Sequence, residues 1–391
     1  MGTYTVYDAA AVNSTIQESL VKESVGDLIT NLFPLDTPLQ QILEKVPMQH
    51  VYHQQPVDTF TGITRTSAVL ATSNSPTQLQ RGEGATYTST TPQYPKKLIS
   101  CVAEIQGLQF SVSDTDRAMS QYGMVDRYAY EALKTTETVV NNFEHSFWWS
   151  AGSPPQGKDF DLNGPVTVAR QTQGLVHWIC KTGLQRSIVG LGENSFTDGH
   201  GNEFGDGGGS ATALTNAMSW AYNAGGLVLD DTMFKDNLMG KWYTLTGRQA
   251  GAVGFCGAKI KNLISRFALT ANGPVNDRSL AAAAKRVIDT VDYYETDFGV
   301  VSVNLCRYLN IEGDSVSIST VASETPTSRT VPMDEVLLFI QPEYFKIGVV
   351  RPIYMSAIAK TGDFESGLVR GEMGLMCRNP QAGAAIVNCL P

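Results

Sequence analysis

Apolar side chains recur at spacings of three and four residues in the stretch that follows Ser113. The series runs from Ala118 to Phe147 and is the longest of its kind in the chain. This spacing puts its members on one face of an α-helix, and Ser113, followed three residues later by an aspartate, resembles a capping box that starts one. The pattern predicts a spine helix at about residues 114–148, in which the roughly thirty residues from Ala118 to Phe147 span about 45 Å at 1.5 Å per residue.

The first fifty residues contain three short amphipathic pieces interrupted by prolines. They are predicted at residues 16–25, 26–32 and 39–46, with Pro34 and Pro38 between the last two. Each piece is shorter than an isolated helix needs to be for stability in water. The segment is therefore predicted to be an arm that must lie on another surface.

Residues 51–100 show no helical periodicity and are rich in threonine, valine and tyrosine. Turn-forming residues at 73–76 lie near the middle of the segment. This pattern predicts a long two-stranded ribbon. An isolated hairpin is marginal in water, and this one has few apolar residues with which to reach a core of its own. The arm and the ribbon are therefore both expected to rest on a neighbouring molecule.

The second half of the chain is predicted to alternate helices with strands. The helical patterns lie at Thr212–Ala224, Lys259–Phe267 and Ser279–Thr290. The strand patterns lie at Gly299–Leu305, Val336–Ile340 and Phe345–Val350, and the residues of Thr361–Leu390 indicate a closing hairpin. Together with the spine helix and the ribbon, these patterns indicate an α+β protein.

Composition changes this picture in one respect. Charged residues make up 17% of the 391 residues, against about 25% in an average soluble domain. A polar surface with few charges suits burial against other protein, because uncharged polar groups cost less to desolvate than charges do. A monomer with a neutral surface would have the same composition, so both interpretations stay open at this point.

The charge balance and the termini exclude several classes of protein. A net charge of −9 and a pI of about 5.1 do not suit electrostatic binding of nucleic acid, so any contact with it is expected to be weak. The start, MGTYTVYDAAAV, lacks the basic and apolar segments of a signal peptide, and no apolar run approaches a membrane span. The six cysteines contain no C-x-x-C pair. We expect a cytosolic chain with reduced thiols and no membrane partner.

Motifs of catalysis and of metal binding are missing from the sequence. The five histidines stand in no metal-binding pattern, and the glycine-rich residues 251–259 lack the Ser or Thr that a phosphate-binding loop places after its lysine. Residues 198–209 carry three carboxylates, but these miss the spacing of a calcium loop. We therefore expect no catalytic residue, no metal and no cofactor, and a protein that is not an enzyme but functions by assembling.

Several segments together resemble the major capsid (major head) proteins of tailed bacteriophages. They include DLITNLFPLDTPLQQIL, RGEGATYTSTTP, the stretch from IQGLQFSVSDTDRAMSQYG to NNFEHSFWW, RQTQGLVHWI, YYETDFGVVSVN and AKTGDFESGLVRGEMGL. The resemblance runs from about residue 27 to the end of the chain. Each segment alone is short, so their order and spacing carry the match.

The resemblance implies the fold that tailed-phage capsids share with herpesvirus capsid floors and encapsulins. It implies an N-terminal arm (1–50), an extended loop formed by the ribbon (51–100), and a peripheral domain with the spine helix (101–210). An axial domain (211–334) follows, and residues 335–391 return to the peripheral domain. An icosahedral phage head of hexamers and pentamers around double-stranded DNA is the implied assembly.

In such proteins the arm and the extended loop contact neighbouring subunits. The resemblance therefore makes Phe33, Pro34 and Pro38 candidates for inter-subunit contact, with the prolines fixing a bent path across the neighbour. Among the few charges of the ribbon, Arg65, Arg81 and Glu83 are the candidates for pairs between subunits, although all three could equally be solvated.

The resemblance also suggests partners. They are further copies of the chain, a scaffolding protein, a portal and decoration proteins, with weak contact to packaged DNA and assembly in the host cytoplasm. Some relatives remove a long N-terminal scaffolding segment, and here we expect a separate scaffolding protein or none. Residues 52–95 hold no lysine, so a covalent cross-link from the ribbon is not expected. An encapsulin-like compartment and an enzyme with an unfamiliar site remain the alternatives.

Overall fold

A computed structural model describes eight stretches of the chain. They are residues 36–57, 97–119, 126–153, 169–180, 219–246, 249–270, 292–320 and 327–389. The predicted helical pieces before residue 33, the interior of the ribbon, the glycine-rich loop and the helix expected at Ser279–Thr290 lie outside these stretches. The predictions made for them stay predictions.

Sixteen strands are found in the described residues. They are β1 (Lys45–Pro47), β2 (Tyr52–Val57), β3 (Lys97–Val102), β4 (Glu104–Ser113), β5 (Ala151–Ser153), β6 (Gln171–Gln173), β7 (Trp220–Asn223), β8 (Gln249–Cys256), β9 (Tyr293–Thr296), β10 (Gly299–Leu305), β11 (Ser315–Thr320), β12 (Thr327–Pro332), β13 (Val336–Ile340), β14 (Phe345–Gly362), β15 (Phe364–Cys377) and β16 (Gly383–Val387).

The same stretches hold six α-helices, one π-helix and three short 3₁₀ turns. The α-helices are α1 (Pro38–Ile42), α2 (Asp114–Ala118), α3 (Arg127–Trp149), α4 (residues 175–180), α5 (Lys241–Thr246) and α6 (Ala258–Thr270). The π-helix is Met233–Gly240, and the 3₁₀ turns are Arg307–Leu309, Pro342–Tyr344 and Pro380–Ala382.

A four-stranded sheet is built around the long hairpin of β14 and β15. Its strand order is β1-β14-β15-β4, with β1 parallel to β14 and the other pairs antiparallel. Helix α3 packs across β4 and β15 and buries Val139, Phe143 and Phe147. A Cβ on Gly371 of β15 would lie 3.3 Å from the Phe143 ring, so the missing side chain lets the helix approach the sheet closely.

A six-stranded sheet separates two hydrophobic cores. Its strand order is β7-β16-β13-β8-β10-β9. Because side chains alternate between the faces of a strand, Phe255 and Leu338 face the core that contains α3. Leu337 and Phe339 face the core built with the π-helix, α5 and α6. Every residue of β13 is buried, as expected of a strand covered on both faces.

The structure divides the predicted spine helix in two. Ser113 does cap α2, because its Oγ accepts a hydrogen bond from the Asp116 N–H at 3.1 Å. The helix ends after one turn, however, where the backbone of Met119 is extended. Helix α3 then begins after Asp126, whose side chain caps it by accepting from the Tyr128 N–H. The prediction of one unbroken helix is therefore wrong, because Asp126 is an N-cap and not an interior residue.

Two other helical predictions are partly wrong because strands form there. Residues 220–223, placed in a helix by the sequence, form β7 and pair in parallel with β16. Gly225 and Gly226 follow with positive φ and end this strand, not a helix. Residues 39–46 begin as predicted in α1, but Lys45–Pro47 then form β1 beside β14. In both places pairing with a distant strand decides the conformation.

Other predictions from the pattern are confirmed. The predicted helix at Lys259–Phe267 is α6, with Ile260, Leu263 and Ile264 buried. The small residues of 251–259 carry strand β8 into this helix, and β10 and β13 lie where their apolar patterns place them. The predicted strand at Phe345–Val350 is the start of the longer β14, and the pairing of β2 with β3 confirms the base of the ribbon.

Candidate functional site

The part of the predicted N-terminal arm that contains α1, residues 36–43, is bound to α3 by a buried carboxylate. We call these residues the arm root. Glu144 has no solvent-exposed surface, and its Oε1 accepts hydrogen bonds from the Leu39 N–H at 2.7 Å and the Trp148 indole N–H at 3.1 Å. Its Oε2 accepts from the Gln40 N–H at 3.2 Å. These donors include free N–H groups of the first turn of α1, which a carboxylate satisfies well.

A second group of contacts holds the residues just before α1. The hydroxyl of Tyr308 lies 3.0 Å from the backbone oxygen of Asp36 and 3.2 Å from Oδ1 of Asn141 on α3. The Trp149 indole donates in turn to the Tyr308 carbonyl at 2.7 Å. Glu144 of α3 and Tyr308 of the Arg307–Leu309 turn therefore both hold the residues around the start of α1.

This geometry corrects one expectation from the sequence. Leu39 is fully buried in the core of its own chain and does not lie on a neighbour, because Glu144 and the α3 face receive it. Pro38 occupies the first turn of α1 and is half-buried, and its contact with another subunit stays a prediction. Phe33 and Pro34 lie outside the described residues. Residues 36–43 are therefore held within their own subunit.

The base of the ribbon is also anchored in its own chain. Ile99 and Cys101 of β3 are buried, and the Ala103 N–H donates to the Val51 carbonyl at 2.8 Å. A Cβ on Gly374 of β15 would lie 2.5 Å from the Val102 carbonyl oxygen, so glycine is needed for β3 to cross β15 this closely. The candidate contacts Arg65, Arg81 and Glu83 lie in the part of the ribbon that the structure does not describe.

Glu104, at the start of β4, is a second buried carboxylate. It is 4% exposed and accepts hydrogen bonds from the Thr172 N–H at 3.1 Å and the Gln106 amide at 2.6 Å. Burial raises its pKa above the ordinary value of 4.5, although these hydrogen bonds act in the opposite direction. Burial likewise raises the pKa of Glu144, against the hydrogen bonds from Leu39, Gln40 and Trp148.

Glu372 of β15 is the third buried carboxylate, and it joins two arginines. It is 3% exposed, pairs with Arg170 through Oε1, and accepts from Nε of Arg351 on β14 at 2.8 Å through Oε2. Arg170 also donates to the Ala103 carbonyl at 2.7 Å. The carboxylate therefore ties the segment before β6 to the hairpin of the four-stranded sheet.

The raised pKa values predict a pH dependence of stability. Between pH 4.5 and the higher native pKa of Glu104, the folded chain binds more protons than the unfolded chain. The free energy of unfolding should then fall as the pH rises through this window, by at most about 1.4 kcal/mol per pH unit for one group. Glu104→Gln cannot ionise, so wild type should lose stability relative to this variant as the pH rises.

Chemical denaturation of both proteins between about pH 4 and pH 7 measures this difference. Glu335 is only partly buried, and Glu335→Gln serves as a matched control with a smaller expected effect. A wild-type stability that rises relative to Glu104→Gln with increasing pH would contradict the prediction.

The described residues contain no group of three or more His, Cys, Asp or Glu side chains placed to hold a metal ion. In the same residues, no helix is long and apolar enough to cross a membrane. All six cysteines are free and buried. Burial raises the pKa of Cys180 and Cys256 to about 12, which keeps these thiols protonated and poor nucleophiles.

The chain matches the SU10 major capsid protein family over residues 3–389, nearly its whole length. It belongs to this family. The resemblance noted from the sequence is thereby confirmed, and the chain is a structural major capsid protein of the phage virion. A search of curated proteins finds no match.

Solved capsids share the fold of this family member at low sequence identity. The capsid of a native GTA particle has a TM-score of 0.53 and 11% identity, with 95% of this chain and 96% of that chain covered. The mature capsid of bacteriophage PhiM1 has a TM-score of 0.53 and 10% identity, with 95% and 93% covered. The capsid of cyanophage P-SCSP1u has a TM-score of 0.51 and 8% identity, with 94% and 93% covered. These matches confirm the predicted fold class.

The sequence did not identify Glu104, Glu144 or Glu372 as buried carboxylates of this capsid protein. Glu144 carried one usable signal, because it precedes Trp148 by four residues on the apolar side of a predicted helix and can therefore meet its indole. Glu104 and Glu372 stand in strand patterns where a polar residue is normally assigned to the solvent face. Their burial depends on β6 and on Arg170, which reach them from elsewhere in the chain.

Proposed function

We propose that the chain assembles into the hexamers and pentamers of an icosahedral phage head that encloses double-stranded DNA. The observation that carries this proposal is the match to a major capsid protein family over nearly the whole chain. The anchoring of the arm root and of the ribbon base supports it, because fixed attachment points suit segments proposed to reach neighbouring subunits. Segments held in this way can reach neighbours at slightly different angles while the subunit stays rigid.

The proposed division of labour follows the parts named from the sequence. The arm (1–50) and the extended loop (51–100) contact neighbouring subunits, with Phe33, Pro34, Pro38, Arg65, Arg81 and Glu83 as candidate contacts. The peripheral domain comprises residues 101–210 and 335–391, and the axial domain comprises 211–334. Scaffolding, portal and decoration proteins are proposed partners, the contact with DNA is weak, assembly occurs in the host cytoplasm, and no catalytic step is involved.

Sedimentation velocity combined with negative-stain imaging of the purified full-length chain tests the proposal. Particles of megadalton mass with fivefold and sixfold rings are expected. A chain that stays monomeric at high concentration, with and without its phage's other head proteins, would overturn it. The nucleic acid content of particles purified from infected cells separates a DNA container from a compartment that encloses an enzyme.

Arg81→Ala is expected to weaken assembled shells while leaving the subunit fold intact. The proposed reason is the loss of a charged pair between subunits, which costs about 1 kcal/mol or more when the pair is partly desolvated. Thermal or denaturant disassembly, followed by light scattering, measures the effect. Arg307→Ala removes an exposed arginine from a described turn and serves as the control. Shell stability equal to that of the control would contradict the prediction.

A further inference from the structure

Three arginines gather on the face of the four-stranded sheet that lies opposite α3. Arg351 and Tyr354 of β14 are paired in register with Glu372 and Arg370 of β15. The intervening Gly371 faces Phe143 of α3, so its neighbours along β15 point away from the helix. Arg170 reaches Glu372 from the segment before β6.

The charges of this arginine cluster do not balance. Within the described part of the chain, Glu372 is the only carboxylate that hydrogen-bonds to the cluster, and it is shared by Arg170 and Arg351. Arg370 donates through Nε to the Tyr354 hydroxyl at 2.6 Å, and its guanidinium carbon lies 5.2 Å from the centre of the Tyr354 ring. No acid among the described residues pairs with Arg370. The cluster therefore carries excess positive charge in a chain whose net charge is −9.

The surroundings keep the guanidinium of Arg370 in place, and the residue is partly exposed. Gly107 of β4 is paired with Arg370, and a Cβ there would lie 3.1 Å from the Arg370 Cβ. The lack of a side chain at Gly107 therefore avoids a close contact with Arg370 across the strand pair. Stacking on Tyr354 holds the planar group in one orientation, and its terminal Nη donors remain available for a planar, bidentate acceptor. Ile105, 51% exposed, borders the same region of the sheet.

We propose that this arginine cluster, with Arg370 at its accessible side, binds a carboxylate of a second copy of the chain. The inference rests on the proposed self-assembly and names a contact within it. The chain carries 38 acidic against 29 basic residues, so carboxylates are in excess on every neighbouring copy. One oriented guanidinium, beside two arginines that share a single carboxylate, fits one further carboxylate. A nucleic acid strand, by contrast, is normally bound by many distributed phosphate contacts.

Matched charge removals test the proposal on the full-length chain. Arg370→Gln is expected to fold with a wild-type melting temperature but to need roughly tenfold more protein for half-maximal assembly. Arg307→Gln removes an exposed arginine with no ion pair in the described residues and should assemble like wild type. If wild type does not assemble, the proposed function itself fails. If wild type and Arg370→Gln assemble equally well, only the arginine cluster proposal is overturned.

Cross-linking identifies the partner directly. A carbodiimide joins a lysine amine to a carboxylate in direct contact with it, so the Arg370→Lys variant can report the acceptor in shells assembled from a mixture of ¹⁴N- and ¹⁵N-labelled chains. A mixed-label cross-link from position 370 to an Asp or Glu, absent in Arg307→Lys, supports the proposal. Cross-links only within one chain would overturn it. Normal assembly of Arg370→Gln combined with a loss of retained DNA would also overturn it and would assign the cluster to phosphate.

Discussion

Glu372→Ala should lower the free energy of unfolding by about 3 to 5 kcal/mol, the range found when one member of a buried ion pair is removed. The carboxylate is 3% exposed and is the shared acceptor of Arg170 and Arg351. Without it, two guanidinium groups stay close together, and Arg170 in particular is left inside the protein without a counter-ion. Urea denaturation of the unassembled subunit measures the loss.

Glu365→Ala is the matched control on the same strand. Glu365 also pairs with an arginine, Arg117, but both side chains are more than a third exposed. Solvent screens such a pair, so its removal should change the free energy of unfolding by about 0.5 kcal/mol or less. Equal effects of the two substitutions would show that burial of Glu372 does not determine its contribution. Replacement of Glu372, Arg170 and Arg351 together by well-packed hydrophobic residues of similar volume should recover most of the lost stability.

The apolar spacing of the sequence was sufficient to predict an element whose conformation depends mainly on its own residues. Helix α6 has Ile260, Leu263 and Ile264 on one face, and strand β13 is a short apolar run bounded by polar residues. Burial on one face or on both faces follows directly from such spacing. These are the elements that the sequence predicted with nearly correct ends.

Pattern failed where a distant strand or a single capping side chain decides the conformation. Trp220–Asn223 has helical spacing but forms a strand. It pairs in parallel with β16, which lies more than 150 residues later in the chain. Asp126 lies inside the stretch whose apolar spacing predicted one helix, yet its carboxylate caps the start of α3. Neither event leaves a trace in the local apolar periodicity, because both depend on a hydrogen-bond partner and not on hydrophobicity.

At the candidate site, too, contacts with distant residues could not be predicted from the local sequence. The arm and the ribbon were predicted from their lack of a core, and their inner ends proved to have one. Leu39 is buried against α3, and Ile99 is buried where β3 crosses β15. Short segments cannot show from sequence alone which of their residues dock within the subunit and which extend beyond it. That division follows from a few buried acceptors, chiefly Glu144.

Glu144→Ala should therefore release the arm root and destabilise the subunit, by roughly 3 to 5 kcal/mol. Three donors would be left without an acceptor, namely the N–H groups of Leu39 and Gln40 and the indole of Trp148. A buried donor left unpaired costs about 1 to 3 kcal/mol. The cost is smaller than the sum for three, because α1 can detach and let water reach two of them.

Hydrogen–deuterium exchange distinguishes detachment of the arm root from general loosening of the fold. In Glu144→Ala, exchange should accelerate most in peptides that cover residues 36–43, while β13 and β15 stay protected. Glu137→Gln changes another carboxylate of α3 that makes no hydrogen bond in the described residues, and its exchange should match wild type. Uniform acceleration would mean that Glu144 stabilises the core as a whole. Selective acceleration would mean that one carboxylate holds residues 36–43 against α3.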